Sequence, residues 1–312
     1  MIGIRPLLCG VELGGSKCVC LIGTGPDDIA AQVTVPTDTD PDVTLQRIEA
    51  ILRDWKQIYG PFSAIGLASF GPLDLRTESA TYGHITRTVK PGWGGTDIVG
   101  RLAVPLGVPI GFNTDVNSAA LAENRWGLAR GLSDFAYITV GTGVGVGLIV
   151  GGKPIFGCNH TELGHIRIAR RRGDAWPGVC SFHGDCVEGL ASGPAIAARA
   201  GVLAQDIPDQ SPVWELAAHA LAQLLHTIVL ATAPRCILVG GGVLQARPQI
   251  LTSVRRLLVE SLNGYLDLQE LTGEMDRYVV PPGLGALAGP LGALAIAADA
   301  YAEARRTHAT LP

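Results

Sequence analysis

No excess of positive charge marks this chain. Its 24 Lys and Arg stand against 28 Asp and Glu, a formal net charge of −4. With no basic face and no Lys/Arg run, nucleic acid and anionic membrane are excluded as main partners. No unbroken apolar stretch reaches the roughly 20 residues of a bilayer span. The longest, around Leu287 to Ala298, is Ala/Gly-rich and holds Pro290. The apolar start, Met1 to Gly10, is too short for a secretory or lipoprotein signal. Seven cysteines cannot all pair, and their spacing gives no secreted disulfide framework in 312 residues. No linker or low-complexity segment interrupts the chain. The expectation is a soluble, cytoplasmic protein of one large domain or two ordinary ones.

Glycine is what the chain has in plenty. Its 41 glycines are nearly twice the ordinary share of about 7%. They cluster after apolar segments, where backbones turn tightly or approach a ligand. Leu7 to Glu12 and Lys17 to Ile22 read as strands joined by Gly14-Gly15-Ser16, with the glycines at the tip of a hairpin. Val43 to Tyr59 has helical periodicity, with Asp42 as the expected N-cap. Strands are expected at 65–69 and 108–113, and helices near 97–104 and 116–126. Phe135 to Val140 and Val144 to Val150 repeat the strand, glycine turn, strand unit, which suggests a weak internal duplication. Helices follow near 191–200 and 212–232, then a strand at 236–239, then a last helix from about Leu284. This alternation predicts an α/β fold with mostly parallel sheets, in two halves around a cleft. The boundaries are an N-terminal domain of 1–117, with the terminal helix 290–312 packing back on it, and a C-terminal domain of 118–289.

Three glycine turns each end an apolar strand: Gly14-Gly15-Ser16-Lys17, Gly141-Thr142-Gly143 and Gly240-Gly241-Gly242. Successive backbone N–H groups in such turns make concave anion sites. None is a GxGxxG fingerprint or a P-loop, so dinucleotide binding and that NTPase class lose support. Any one of them alone is no more than a hairpin; together they suggest a nucleotide held between the halves. Asp115, at the carboxyl end of a strand, is a candidate general base. The plainer alternative is that it caps the helix beginning at Val116. His165 with Cys180, His183 and Cys186 offers four ligands, a set that suits a closed, structural zinc site. Glu162 and Glu188 flank these ligands and are candidate acceptors for sugar hydroxyls. Cys9, Cys18, Cys20, Cys158 and Cys236 sit among apolar residues and are expected in the core.

These segments together resemble the ROK family of sugar kinases, nearly end to end, and its bacterial fructokinase branch in detail. Glu12-Leu-Gly-Gly-Ser-Lys17 is similar to the family's D-x-G-G-T-K, with Glu for Asp and Ser16 for Thr. Gly71-Pro72 and the stretch from Tyr82 to Trp93 are similar to the fructokinase branch. Thr114-Asp115-Val-Asn117 matches N-D-x-N, whose Asp is the catalytic base, with Thr114 at the usual sugar-binding Asn. Asn159-His160-Thr161-Glu162-Leu-Gly-His165 resembles N/L-H-P-E-x-G-H. Cys180-x2-His183-x2-Cys186-Val-Glu188, running on to Gly193-Pro194, matches the fructokinase form, His183 being its best pointer.

The resemblance implies two RNase H-like domains of the actin-like ATPase type, with an interdomain cleft. It implies ATP and Mg2+ as cosubstrates, structural Zn2+, and a homodimer. It also implies roles for the residues. Asp115 takes the proton of the sugar's primary hydroxyl. Gly14, Gly15, Ser16, Lys17, Thr142 and Gly143 hold phosphates. Gly193, Pro194, Gly240, Gly241, Gly242 and Val243 border the adenosine. Gly71, Thr114, Glu162, His165 and Glu188 meet the sugar, His165 through its nitrogen away from zinc. The implied reaction is phosphorylation of D-fructose to fructose 6-phosphate. Rival readings are a ROK kinase for mannose, glucose or an N-acetylhexosamine, and a non-catalytic sugar-sensing protein. ROK regulators carry a helix-turn-helix of about 70 residues before the glycine motif; here that motif begins at residue 12, so DNA binding is not expected.

Overall fold

The computed structural model describes residues 6–267 and 273–309. The chain forms two compact units. The first takes in the chain up to Arg130, the segment Phe156–His160, and the chain from Ala286 on; the second comprises Gly131–Ile155 and Thr161–Gly285. In chain order the first unit has β1 (Leu8–Leu13), β2 (Lys17–Gly25), β3 (Asp28–Pro36), α1 (Pro41–Tyr59), β4 (Ala64–Ser69), α2 (Ile98–Leu102), β5 (Ile110–Thr114) and α3 (Asp115–Trp126). The second has β6 (Phe135–Val140), β7 (Val144–Val150), β8 (Lys153–Pro154), α4 (Val187–Ala191), α5 (Gly193–Ala200), α6 (Pro212–Thr232), β9 (Ile237–Gly240), α7 (Gly242–Ala246), α8 (Gln249–Leu262), α9 (Met275–Tyr278) and β10 (Val279–Val280). The last helix, α10 (Ala288–Ala309), returns to the first unit.

The two sheets have the same plan. In the first the order is β3-β2-β1-β4-β5, in the second β8-β7-β6-β9-β10. In each, the three leading strands form an antiparallel meander and the later two run parallel to the first. The duplication suggested by the repeated glycine hairpins is therefore a duplication of topology.

Side-chain size decides which helix lies on which face of the first sheet. Cys9, Val11, Leu13, Cys18, Cys20 and Ile22 alternate along β1 and β2 and share one core with Leu45, Ile48, Leu52 and Trp55 of α1. Helix α1 is capped by Asp40, whose carboxylate accepts from the Asp42 N–H, and Pro41 starts its first turn. The expected cap, Asp42, lies inside that turn, because the pre-set φ of Pro41 starts the helix earlier. On the opposite face, Gly10, Gly66 and Gly111 line up across β1, β4 and β5. A Cβ at any of them would run into the main chain of α10 near Ala293, Leu294, Ile296 and Ala297. The Ala-rich helix thus lies directly on bare backbone.

Several expectations are corrected. The boundary at 117 moves to Arg130, because α3 packs on α10 and stays with the first unit. The segment 156–160 joins that unit too, where His160 Nε2 accepts from the Leu73 N–H at 2.9 Å. Strand β3 was not among the expected elements: Ile29, Ala31, Val33 and Val35 alternate along it, but most of its side chains are exposed and only Val35 is buried. Cys158 is exposed, whereas Cys9, Cys18, Cys20 and Cys236 are buried. The last helix begins at Ala288 rather than near Leu284, with Pro290 in its first turn, where no N–H is needed. With it included, α6 and the segment Gly285–Thr307 both have the length and hydropathy of a bilayer span. Their apolar windows are 61% and 50% buried within the fold, as for core helices.

The glycine row carries a stability prediction. Gly66→Ala is expected to lower unfolding free energy in urea by about 1–3 kcal/mol, through overpacking against α10. Gly157→Ala, where an added Cβ meets nothing, is expected to stay within about 0.5 kcal/mol. Equal effects at the two positions would contradict the packing described.

Candidate active site

In the first unit, chemistry gathers at the carboxyl ends of β1, β4 and β5. The β1–β2 turn is fixed by hydrogen bonds: Gly14 N–H donates to Lys17 O at 3.0 Å, and Thr37 Oγ1 donates to Gly14 O at 2.7 Å. Ser16 and Lys17 are exposed at its tip. After β4 comes the half-buried Gly71, joined to Pro72 by a cis peptide. After β5, the helix cap is Thr114, whose hydroxyl accepts from the Asn117 N–H. Asp115 is thus the first residue of α3 and not its cap, which removes the plainer of its two readings. Thr114 is 4% exposed and holds its hydroxyl on the cap. Its hydroxyl is thus engaged at the helix start.

Asp115 Oδ1 accepts from the Val116 N–H at 2.8 Å. Burial pushes its carboxyl up to about 6. Glu12, at the end of β1, is pushed up to about 7, first by burial and then by the charge of Asp115, with Lys17 opposing. The Glu12 carboxyl lies against Gly289, at the start of α10, where any side chain would displace it. Two carboxyls therefore sit close enough to feel each other's charge under poor solvation. Glu12 belonged to the recognised motif, but only the structure reveals this coupling.

In the second unit, His165, Cys180, His183 and Cys186 place their ligand atoms within 4.8 Å of one another. Both Cys180 Sγ and Cys186 Sγ lie 3.6 Å from His165 Nδ1, and Cys180 Sγ lies 3.7 Å from His183 Nδ1. A tetrahedral ion with metal–sulfur and metal–nitrogen bonds of about 2.3 and 2.0–2.1 Å has sulfur–nitrogen edges of about 3.6 Å. The donor set and spacing fit zinc. Burial, the larger cause, pushes the Cys186 thiol up to about 12, so a thiolate here needs a cation beside it. His165 turns its other nitrogen, Nε2, toward Glu188 Oε1 at 3.8 Å. Glu188 Oε2 accepts from the Val144 N–H at 3.1 Å and occupies room left by Gly143. Glu188 is thus held between a ligand histidine and the β6–β7 turn. Glu162 is exposed, and its backbone O accepts from the His165 N–H.

The same unit has a cavity of about 610 Å³ lined by Gly141, Thr142, Gly193, Pro194, Ile196, Ala204, Gln205, Trp214, Gly242, Val243, Ala246 and Arg247. That size suits a nucleoside. Thr142, Gly193, Pro194, Gly242 and Val243 were expected at the nucleotide. Gly240 and Gly241 were too, but they pack instead against Pro282 and the Val140 main chain. Trp214 was not singled out because it sits within the helical periodicity of α6, and Arg247, which follows α7, because it belongs to no motif. The Arg247 guanidinium lies over the Trp214 ring at 5.5 Å, and its Nε is 3.3 Å from Asp209 Oδ1.

Known proteins resemble this chain over most of its length. The sequence pattern of the ROK family matches residues 8–300. A fructokinase of Pediococcus pentosaceus is 38% identical over 298 residues, covering 96% of this chain and 100% of that one. A fructokinase of Lactococcus lactis subsp. cremoris is 39% identical over 259 residues, covering 83% and 86%. Among solved structures, the ROK hexokinase of Thermus thermophilus matches with a TM-score of 0.73 at 27% identity, covering 96% and 99%.

The carboxyl pair makes stability depend on pH. Both groups titrate higher in the fold than when unfolded, so the folded chain keeps protons that the unfolded chain has released. Stability is expected to fall as pH rises from about 4 to about 7. Glu12→Gln is expected to raise Tm at pH 8 by a few degrees and to flatten this dependence. A lower Tm with the pH dependence intact would show that Glu12 is not the strained group.

Proposed function

The chain belongs to the ROK family, and from that membership we propose that it is a fructokinase, moving the terminal phosphoryl group of ATP to the 6-hydroxyl of D-fructose. The observation that carries this is the near-complete match, at 38% and 39% identity, to two curated fructokinases. The Cys-x2-His-x2-Cys loop of this chain adds to it.

In this reading Asp115 is the general base. Its carboxylate accepts the proton of the attacking hydroxyl, and an elevated pKa brings its basicity closer to the working pH. Gly14 to Lys17 and Thr142-Gly143 hold phosphate oxygens through backbone N–H groups, with the Lys17 charge added in the first unit. Gly193, Pro194, Gly242 and Val243 wall the adenosine, with Trp214 and Arg247 as a further wall. Glu188 and His165 orient the sugar hydroxyls, and Gly71 admits the sugar close to the backbone. Holding both substrates in reacting geometry supplies the larger part of the rate.

Two ions belong to this reading. Mg2+ suits the first unit, where Glu12 and Asp115 offer carboxylate oxygens and repel each other. When bound with the triphosphate it neutralises charge on the phosphate oxygens. Zinc suits His165, Cys180, His183 and Cys186, a closed ligand set that fixes the His165 ring and so the place of Glu188. The seven free cysteines fit a reducing cytoplasm, and a homodimer is the assembly this reading carries.

Asp115→Asn keeps the shape and removes the base. It is expected to cut kcat for ATP-dependent fructose phosphorylation by about 10²–10⁴; a loss within about tenfold would remove Asp115 from this role. In the wild type, kcat/KM is expected to fall as pH drops through about 6, where Asp115 becomes protonated, and a limb near pH 4 would contradict that. Cys180→Ser is expected to lose stoichiometric zinc by mass spectrometry and to melt lower. A folded variant that retains one zinc per chain would refute the metal assignment.

A further inference from the structure

The β1–β2 turn is held from its carbonyl side by two residues outside the glycine motif. Thr37 Oγ1 donates to Gly14 O at 2.7 Å, and Lys90 Nζ donates to Gly15 O at 2.7 Å. A trans peptide points its N–H opposite to its C=O. Anchoring the Gly14 carbonyl on Thr37 therefore aims the Gly15 N–H away from Thr37, and anchoring the Gly15 carbonyl on Lys90 aims the Ser16 N–H away from Lys90. Two successive peptides are thus fixed in orientation, and an anion-binding nest is built from successive amides of this kind. A Cβ placed on Gly15 meets nothing within 4 Å, so the turn has open space beside it.

Lys90 is not a loosely solvated surface lysine. It is half-buried, and its backbone N–H donates to Thr88 Oγ1, which in turn donates to Gly71 O at 2.9 Å. Two residues earlier Thr86 donates twice to Pro72 O, from its N–H at 2.7 Å and from Oγ1 at 3.0 Å. Trp93 is fully buried, stacks edge-on against Phe70, and donates from Nε1 to Asp38 O at 2.9 Å. The strap from Thr86 to Trp93 is thus pinned along its length, and it delivers one ammonium to one carbonyl.

We propose that Lys90, with Thr37, is a positioning residue for the phosphate turn, fixing its carbonyls so that the Gly15 and Ser16 amides face the nucleotide's phosphates. This rests on the phosphate-holding role given above to Gly14–Lys17. Because the same strap grips Gly71 O through Thr88, it also ties the nucleotide turn to the loop assigned to the sugar.

The test uses the full chain with its zinc, comparing wild type, Lys90→Met, Lys90→Arg and Thr37→Val. Lys90→Met is expected to raise KM for ATP about tenfold and to weaken ADP binding, measured by calorimetry, by a similar factor, with KM for fructose within about twofold. Lys90→Arg, which keeps a cationic donor, is expected to recover most of the loss. Thr37→Val is expected to act in the same direction as Lys90→Met, which covers the case of a Lys90→Met chain that does not fold. Unchanged ADP affinity in Lys90→Met and Thr37→Val overturns the inference. So does a joint rise of both KM values that Lys90→Arg fails to relieve. A wild type that binds ADP but does not phosphorylate fructose overturns the proposed function instead, and leaves the calorimetric comparison to judge Lys90.

Discussion

The close seating of α10 on the first sheet is the constraint from which the catalytic end of that unit follows. Gly10, Gly66 and Gly111 leave bare backbone across three strands, so the helix lies nearer than any side chain would permit. That depth brings Gly289 over the Glu12 carboxyl and Gly292 against the main chain of α3 at Ser118 and Ala119. Helix α3 is thereby fixed with Asp115 at its first position. Burial then raises both carboxyls, Glu12 to about 7 and Asp115 to about 6. A row of missing side chains at the far end of the helix contact thus ends in two buried carboxyls that hold their protons more tightly. The cost is charge repulsion and desolvation, a common bargain at functional sites.

The second unit repeats the sheet plan with different contents. Its β6–β7 turn stands where the β1–β2 turn stands in the first sheet, and Gly240-Gly241-Gly242 follows β9 where Phe70-Gly71-Pro72 follows β4. One topology therefore offers two sets of strand-end loops, one set beside the carboxyl pair and one beside a nucleoside-sized cavity. The ligand loop from Cys180 to Cys186 belongs to the second set alone. It orders Glu188 from one side through His165, while the Val144 N–H holds it from the other.

Much of this was legible in the residues, and the exceptions have physical causes. Strong apolar alternation gave β6 and β7 at their observed ends and α6 at its full length. The His and Cys spacing gave the ligand cluster, because a tetrahedral set needs few residues of definite type. Strand β3 left only a faint trace, the alternation of Ile29, Ala31, Val33 and Val35, which at a mostly exposed sheet edge does not set a buried face apart. The cap of α3 was sought at Asp115 and lies at Thr114, because either residue type can cap and only backbone geometry decides. Helical periodicity hid Trp214, and nothing local marks Arg247, though the two stacked side chains help line the cavity. Lys90 was invisible as an anchor because a bond between an ammonium and a carbonyl 75 residues away leaves no mark in local sequence.

The assignment as a fructokinase is tested most directly by the product. Purified chain supplied with Mg2+, ATP and, in separate reactions, fructose, mannose or glucose is followed by coupled ADP release and by phosphorus NMR of the sugar formed. The account predicts fructose 6-phosphate, with fructose giving the highest kcat/KM of the three. Absence of ATP-dependent fructose phosphorylation, or a phosphate on a hydroxyl other than the primary 6-hydroxyl, would contradict it.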